Sequence, residues 1–307
     1  MKKSVMSSNE RNEYLLSYGF TNEDITRMYK KSNVLTGFKK ETIERKLNAL
    51  MNFGISKKDI IEIVNAFPQI LTLSEENTIS KYKYLLDFGF QMDDIISINK
   101  RTSFLSTYSF NSLKKKINDL KDIGFSNKNI IKIIKSTPSI LTLSIENIIS
   151  KIKLFSSLGF TKEEILNIIL KFPAVITMSP NNIVNKVNNI VSLGFTMEEV
   201  IYMIKKYPPL ISLSIENINS KVQFYDSIGL HDIIVKRPLY LMMSVRLAYA
   251  RYIFFKRNGI YFSKECVGKL FLSDKQFKQM YSISNETLIN TYDYDKRSNK
   301  EMKLIEE

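Results

Sequence analysis

Tryptophan is absent from this 307-residue chain, and cysteine and histidine occur once each, as Cys266 and His231. A lone thiol excludes an intramolecular disulfide framework and fits a reducing compartment. One cysteine and one histidine also leave no Cys/His zinc site and no Cys–His nucleophile pair within one chain. His231 falls at a helix start and reads as a surface or capping residue, and Cys266, beside Val267 and Gly268, as a small buried one. No apolar run approaches the ~20 residues that span a bilayer. Met1-Lys2-Lys3-Ser4 lacks the apolar core of a secretory signal. Glu10 and Glu13, with Arg11 the one nearby arginine, make a poor transit peptide, so an intracellular, cytoplasmic placement is expected. Gly-rich phosphate loops are missing.

Acidic residues are the last shortage, at 31 Asp and Glu against 45 Lys and Arg, for a formal charge of +14. Residues 291–307 hold four basic and five acidic side chains, so the excess belongs to the body of the chain. Such a balance favours a polyanionic partner: DNA, RNA or an anionic membrane surface. A membrane role ranks last, because the basic residues recur along the chain and do not gather on one amphipathic helix.

Glycine is sparse at 10 residues, and its placement is regular. Gly19, Gly54, Gly89, Gly124, Gly159, Gly194 and Gly229 stand 35 apart, and the next interval, to Gly259, is five residues shorter. A fixed period in this range marks stacked helical repeats that bury their apolar faces against their neighbours. Thr161-Lys162-Glu163-Glu164 reads as an N-cap with first-turn carboxylates, and Ile165, Ile168, Ile169 and Phe172 form an amphipathic stripe. Proline stops this helix at Pro68, Pro138, Pro173, Pro208 and Pro238. A short apolar stretch such as Ile140-Leu141-Thr142-Leu143 then makes a tight turn. Ser74, Ser144, Ser179, Ser214 and Ser244 cap a second helix, whose apolar face in the fourth unit is Ile145, Ile148, Ile149, Ile152 and Phe155. Glycine ends it in a left-handed C-cap. Asn33 and Lys39 replace proline and serine in the first unit, and Ser103 replaces proline in the third. Residues 263–290, with Leu270, Phe271, Phe277 and Met280, read as a terminal cap. Residues 1–13 read as a lead, 14–262 as the array and 291–307 as a flexible tail.

One basic position recurs with the period: Lys46, Lys81, Lys116, Lys151, Lys186, Lys221 and Arg251. It lies at the margin of the apolar stripe, where methylenes cover the core and the charge reaches the rim. Stacked repeats would space such charges about 10 Å apart, a track suited to a nucleic-acid backbone. The alternative is a lysine that snorkels from the core or pairs with first-helix carboxylates. Lys83, Lys115, Lys153 and Lys236 are candidates to widen the track. Tyr82, Tyr84, Tyr202 and Tyr207 could stack on bases, although aromatics at helical spacing are more often core. Asp93-Asp94, Glu163-Glu164 and Glu198-Glu199 could hold Mg²⁺, but capping and the helix dipole explain them. No cofactor, metal or enzymatic site is expected.

Tetratricopeptide and ankyrin signatures are absent, as is the Tyr-Asn entry of pentatricopeptide repeats. The order Leu143-Ser144-Ile145-Glu146-Asn147, Lys151, Leu158-Gly159-Phe160 resembles the mitochondrial transcription termination factor (mTERF) family. The run from Pro238-Leu239-Tyr240-Leu241 through Arg251-Tyr252 to Asn258-Gly259-Ile260 resembles that family's closing repeat, and Leu272-Ser273-Asp274 with Phe277 its terminal segment. The resemblance covers roughly residues 14–283. It implies an all-α, curved right-handed α-solenoid of about seven repeats, each two helices and a proline-started turn, with a basic concave groove. It also implies nucleic-acid binding, with duplex DNA favoured, by a monomer acting in transcription termination or initiation. The alternatives are an RNA-binding role in processing or ribosome assembly, or a scaffold for an acidic protein partner of the transcription or ribosome machinery. Family resemblance sets a mitochondrial or plastid location beside the cytoplasmic one.

Overall fold

The computed structural model describes residues 2–260 and 267–296, and every regular element among them is helical. The chain divides into two compact units, Met1–Lys153 and Leu154–Glu307, with one construction in both. A helix Lys2–Tyr18 opens the first unit and takes in residues 2–13 of the expected lead. Seven repeats follow. Their first helices are Asn22–Lys31, Lys57–Ala66, Met92–Arg101, Asn127–Ser136, Lys162–Lys171, Met197–Lys206 and His231–Lys236. Their second helices are Lys40–Asn52, Glu75–Phe88, Phe110–Ile123, Ile145–Ser157, Pro180–Val191, Ile215–Ser227 and Val245–Arg257.

The first helix of repeat five shows why each element starts and stops. Thr161 Oγ1 accepts the Glu164 amide, and the Glu164 carboxylate accepts the Thr161 amide at 3.0 Å, which satisfies two orphan donors. Ile165, Ile168 and Ile169 are at most 2% exposed, each contributing roughly 1.5–3 kcal/mol on burial. Pro173 cannot continue the helix and excludes the helical region for its predecessor, so Phe172 sits at φ −141°, ψ 71°. The same backbone geometry recurs at Phe67, Thr137, Tyr207 and Arg237.

A 3₁₀ turn Pro173–Thr177 then buries Pro173, Val175 and Ile176. The first repeat makes the same turn, Asn33–Gly37, without a proline. In the third, where Ser103 replaces proline, the turn is α-helical, Phe104–Thr107. Ser74, Ser144, Ser179 and Ser214 cap the second helices as expected. Ser244 does not: its ψ of 132°, against 147–152° at Ser74, Ser179 and Ser214, leaves its hydroxyl without a capping bond. The inward face of helix Ile145–Ser157 also differs from expectation. Ile148, Lys151 and Phe155 are buried, whereas Ile149 is 38% exposed. Isoleucine lies on more than one face of that helix, so hydrophobicity alone does not identify the inner one.

The five-residue shortening falls on the last first helix, which has six residues where the others have ten. Beyond it, a 3₁₀ turn Val267–Phe271 and helices Asp274–Tyr281 and Asn285–Thr291 form the cap. Leu270, Phe277 and Leu288 are buried in it, and Met280 is exposed. Helix Asn285–Thr291 crosses the boundary expected at residue 290, while Cys266 and most of the expected tail lie outside the described residues.

Two glycine ends separate backbone strain from crowding. Gly54 and Gly89 have φ of +100° and +114°, but an added Cβ meets nothing at Gly54 and comes 3.1 Å from Ile131 Cδ1 at Gly89. Gly54→Ala should cost about 1 kcal/mol, the left-handed penalty alone, and Gly89→Ala distinctly more. Urea midpoints of the two variants check this ordering.

Candidate nucleic-acid interface

The recurring cation of the second helix is the first group to place. Lys46, Lys116 and Lys186 donate their ammonium groups to the carbonyls of Leu73, Leu143 and Leu213, the residues that close the next repeat's turn. Lys81 donates to the carbonyls of Leu105 and Tyr108, the latter at 2.9 Å, and Lys221 to that of Leu241 at 2.5 Å. Arg251 reaches the cap's 3₁₀ turn through Leu270 O at 2.8 Å and Leu272 O at 2.6 Å. Its guanidinium also donates to Asn285 Oδ1 and lies 4.2 Å from the Phe277 ring centre. Lys151 differs, because its ammonium donates to Asn147 Oδ1 within its own helix.

Four of the seven are buried, and Lys46, Lys116 and Lys186 are half-buried. Lys81 and Arg251 are 0% exposed, and Lys151 and Lys221 are buried as well. Burial pushes Lys46, Lys116, Lys151 and Lys221 below the ordinary lysine range, Lys81 to about 8 and Arg251 to about 10. The expectation of open ammonium groups along a rim is not met at the buried Lys81, Lys151, Lys221 and Arg251, while Lys46, Lys116 and Lys186 stay half-buried and Lys116 lines a surface recess. The physical reason is that the last carbonyls of a helical turn are unpartnered and carry partial negative charge. A long cation in the core margin satisfies them, and Lys46 also lies 3.7 Å from the Glu75 carboxylate.

An eighth member was open to detection, since 46 − 35 = 11. Arg11 is buried and donates to Thr36 O at 2.6 Å and Phe38 O at 3.0 Å, the closing turn of the first repeat. A second set of contacts joins the first helices. Lys100 pairs with Asp59 at 2.7 Å and Glu62 at 2.6 Å, Lys135 with Asp94 at 2.7 Å, and Lys205 with Glu164 at 2.6 Å. The spacing from capping carboxylate to lysine is 41 residues, one repeat plus six. The Lys100 ammonium holds the Asp59 carboxyl below its ordinary range, and Lys205, with the Thr161 amide, does so for Glu164. Lys31 and Arg101 cap the carbonyl ends of the next first helices, at Asn65 and Ala66 and at Lys135 and Ser136. Among the described residues no cluster of His, Cys, Asp or Glu could hold a metal.

The exposed charge lies elsewhere. In the first unit Lys83, Lys114, Lys121 and Lys153 occupy the outer faces of three successive second helices and make no ion pair among the described residues. Lys114 Nζ sits 5.0 Å from the Phe110 ring centre and 5.9 Å from that of Tyr84, and Lys121 Nζ 5.1 Å from that of Phe88. These half-buried rings hold the ammonium groups against the surface. Beside them a recess of about 350 Å³ is flanked by Lys115 and by Tyr108, which is 42% exposed and stacks on Phe104 at 4.4 Å. Of the tyrosines considered for stacking, Tyr82 is buried, Tyr84 and Tyr207 are half-buried and Tyr202 is 38% exposed. His231 stacks on Phe195 at 4.6 Å and bonds to Asp226 at 2.8 Å.

The family model for mTERF matches residues 2–118 and 107–278. The chain belongs to the mTERF family. No curated protein matches it. In this mTERF chain the family's repeat order and the carbonyl-bound cation coincide, because the Ser-capped second helix, its inward lysine and the following turn make one structural unit.

The displaced titration of Lys81 gives a signed prediction. Between pH 8 and the unfolded lysine value near 10.4, the unfolded chain binds the proton that the folded chain has lost, so stability rises with pH. Relative to Lys81→Met, the native protein should gain about 2 kcal/mol from pH 7.5 to pH 9.5. Urea unfolding at both pH values measures it, and an unchanged difference would rule out the shifted ammonium.

Proposed function

We propose that this mTERF protein binds the sugar–phosphate backbone of a nucleic acid, duplex DNA in the first instance, through the outer faces of second helices Glu75–Phe88, Phe110–Ile123 and Ile145–Ser157. Residues 110–153 carry nine lysines and three acidic residues, 9 − 3 = +6; Lys115 pairs with Asp119 and Lys135 with Asp94, whereas the exposed Lys114, Lys121, Lys128, Lys132 and Lys153 make no ion pair among the described residues. That observation carries the reading. Backbone contacts of this kind position a protein without reading sequence, which fits a factor acting on transcription or on transcripts. The carbonyl-bound cations support the surface by fixing the repeats that present it. Lys116 and Lys186 each commit one ammonium donor to a main-chain carbonyl. RNA as the ligand, in an organelle or elsewhere, is the second reading, and an acidic protein partner the third.

Replacing Lys83, Lys114, Lys121 and Lys153 together by Gln tests the proposal. If all four contact phosphates, the log–log salt slope should fall by about 3.6 on duplex DNA, or about 2.8 on a single strand. Fluorescence anisotropy on duplex DNA, single-stranded DNA and RNA of equal length reads both the slope and the preferred class. Lys186→Met should lower thermal stability and leave the slope unchanged. An unaltered slope in the fourfold variant would contradict the proposed face.

A further inference from the structure

A different surface, on the first helices of repeats five and six, has the composition of a small-ligand site. Glu164, Asn167, Lys171, Tyr202, Lys205 and Lys206 line a groove of about 360 Å³, near the lower end of the volumes that hold small molecules. Tyr202 is 38% exposed, and Lys206 Nζ lies 5.3 Å from its ring centre. The ring is a departure from the repeat. Positions one period apart hold Asn167, Lys132, Ser97, Glu62 and Arg27, all polar. An aromatic there has no core to fill and leaves a ring available at the mouth of the groove.

The charge around that ring is specific as well. Lys205 and Glu164 neutralise each other at 2.6 Å. Lys171 and Lys206 occupy the same position on successive first helices and make no ion pair among the described residues. A groove with two uncompensated ammonium groups, one available ring and one amide suits a flat aromatic body carrying an anion. We propose that this groove binds a nucleoside phosphate, with the base stacked on Tyr202, the phosphate between Lys171 and Lys206, and the Asn167 amide at the base edge. The source is either a free nucleotide or one unit of a single strand. The site shares no residue with the proposed backbone face, so its occupancy is measured separately from duplex binding.

Equilibrium dialysis of the full chain against AMP, adenosine, ribose 5-phosphate and the pentanucleotide dT5 decides it. AMP should bind saturably and at least tenfold more tightly than adenosine or ribose 5-phosphate, each of which lacks half of the recognised group. Tyr202→Leu should weaken AMP by about tenfold or more, the loss expected for one stacking partner. Lys171→Gln and Lys206→Gln should each weaken AMP and leave adenosine unaffected. Because all three side chains are exposed or half-exposed, thermal melting should confirm unchanged folding. Binding of dT5 at least tenfold tighter than AMP, with the same sensitivity to Tyr202→Leu, identifies the strand as source, and equal binding identifies the free nucleotide. Absence of saturable AMP and dT5 binding, or AMP affinity indifferent to Tyr202→Leu, overturns the proposal.

Discussion

A cation from six of the seven second helices, bound to the carbonyl end of the next turn, is the contact on which the rest of the structure depends. A 3₁₀ turn started by proline is short and leaves its last carbonyls unpartnered. It must be packed tightly, because Pro173, Val175 and Ile176 and their counterparts are core residues. An unsatisfied buried acceptor costs about 1–3 kcal/mol. Lysine or arginine in the second helix resolves the conflict, since its stem is apolar and only its tip is a donor. The same solution serves the cap, where Arg251 takes the part of the lysines and Val267–Phe271 that of the turn.

This arrangement changes the meaning of the chain's charge. Arg11, Lys31 and Arg101, with six of the seven recurring cations, spend their hydrogen bonds on main-chain carbonyls. Carbonyls carry no formal charge, so these cations remain in the net sum of +14, and Arg11, Lys81, Lys221 and Arg251 are buried besides. They still contribute to the long-range field that draws a polyanion. In the proposed reading, short-range neutralisation of phosphates falls to lysines outside the recurring position, among them those of the 110–153 stretch.

The fold was largely legible because its signals are local and repeated. Thr161 and Glu164, Pro173, Ser179 and the period of glycines each encode one backbone event, and all are placed as those residues dictate, with Ser244 the exception. The recurring lysine was also visible, but not its destination. A position at the edge of an apolar stripe fits both a rim charge and a core donor, and the choice depends on which acceptor the next repeat brings near. That acceptor is a backbone carbonyl, which has no letter in the sequence. The Asp59–Lys100 spacing was detectable in principle, as was Arg11, because both follow from the period. Tyr202 was visible as an aromatic residue, while the groove beside it depends on two helices 35 residues apart.

Lysine acetylation footprinting with mass-spectrometric readout, in the presence and absence of duplex DNA, tests the central claim most directly. Lys81, Lys116, Lys186 and Lys221 should react slowly in the free protein and equally slowly in the complex, whereas Lys83 and Lys153 should react fast and become protected. Fast modification of the first set in the free protein, with protection on adding DNA, would contradict the account and return those cations to the nucleic-acid surface.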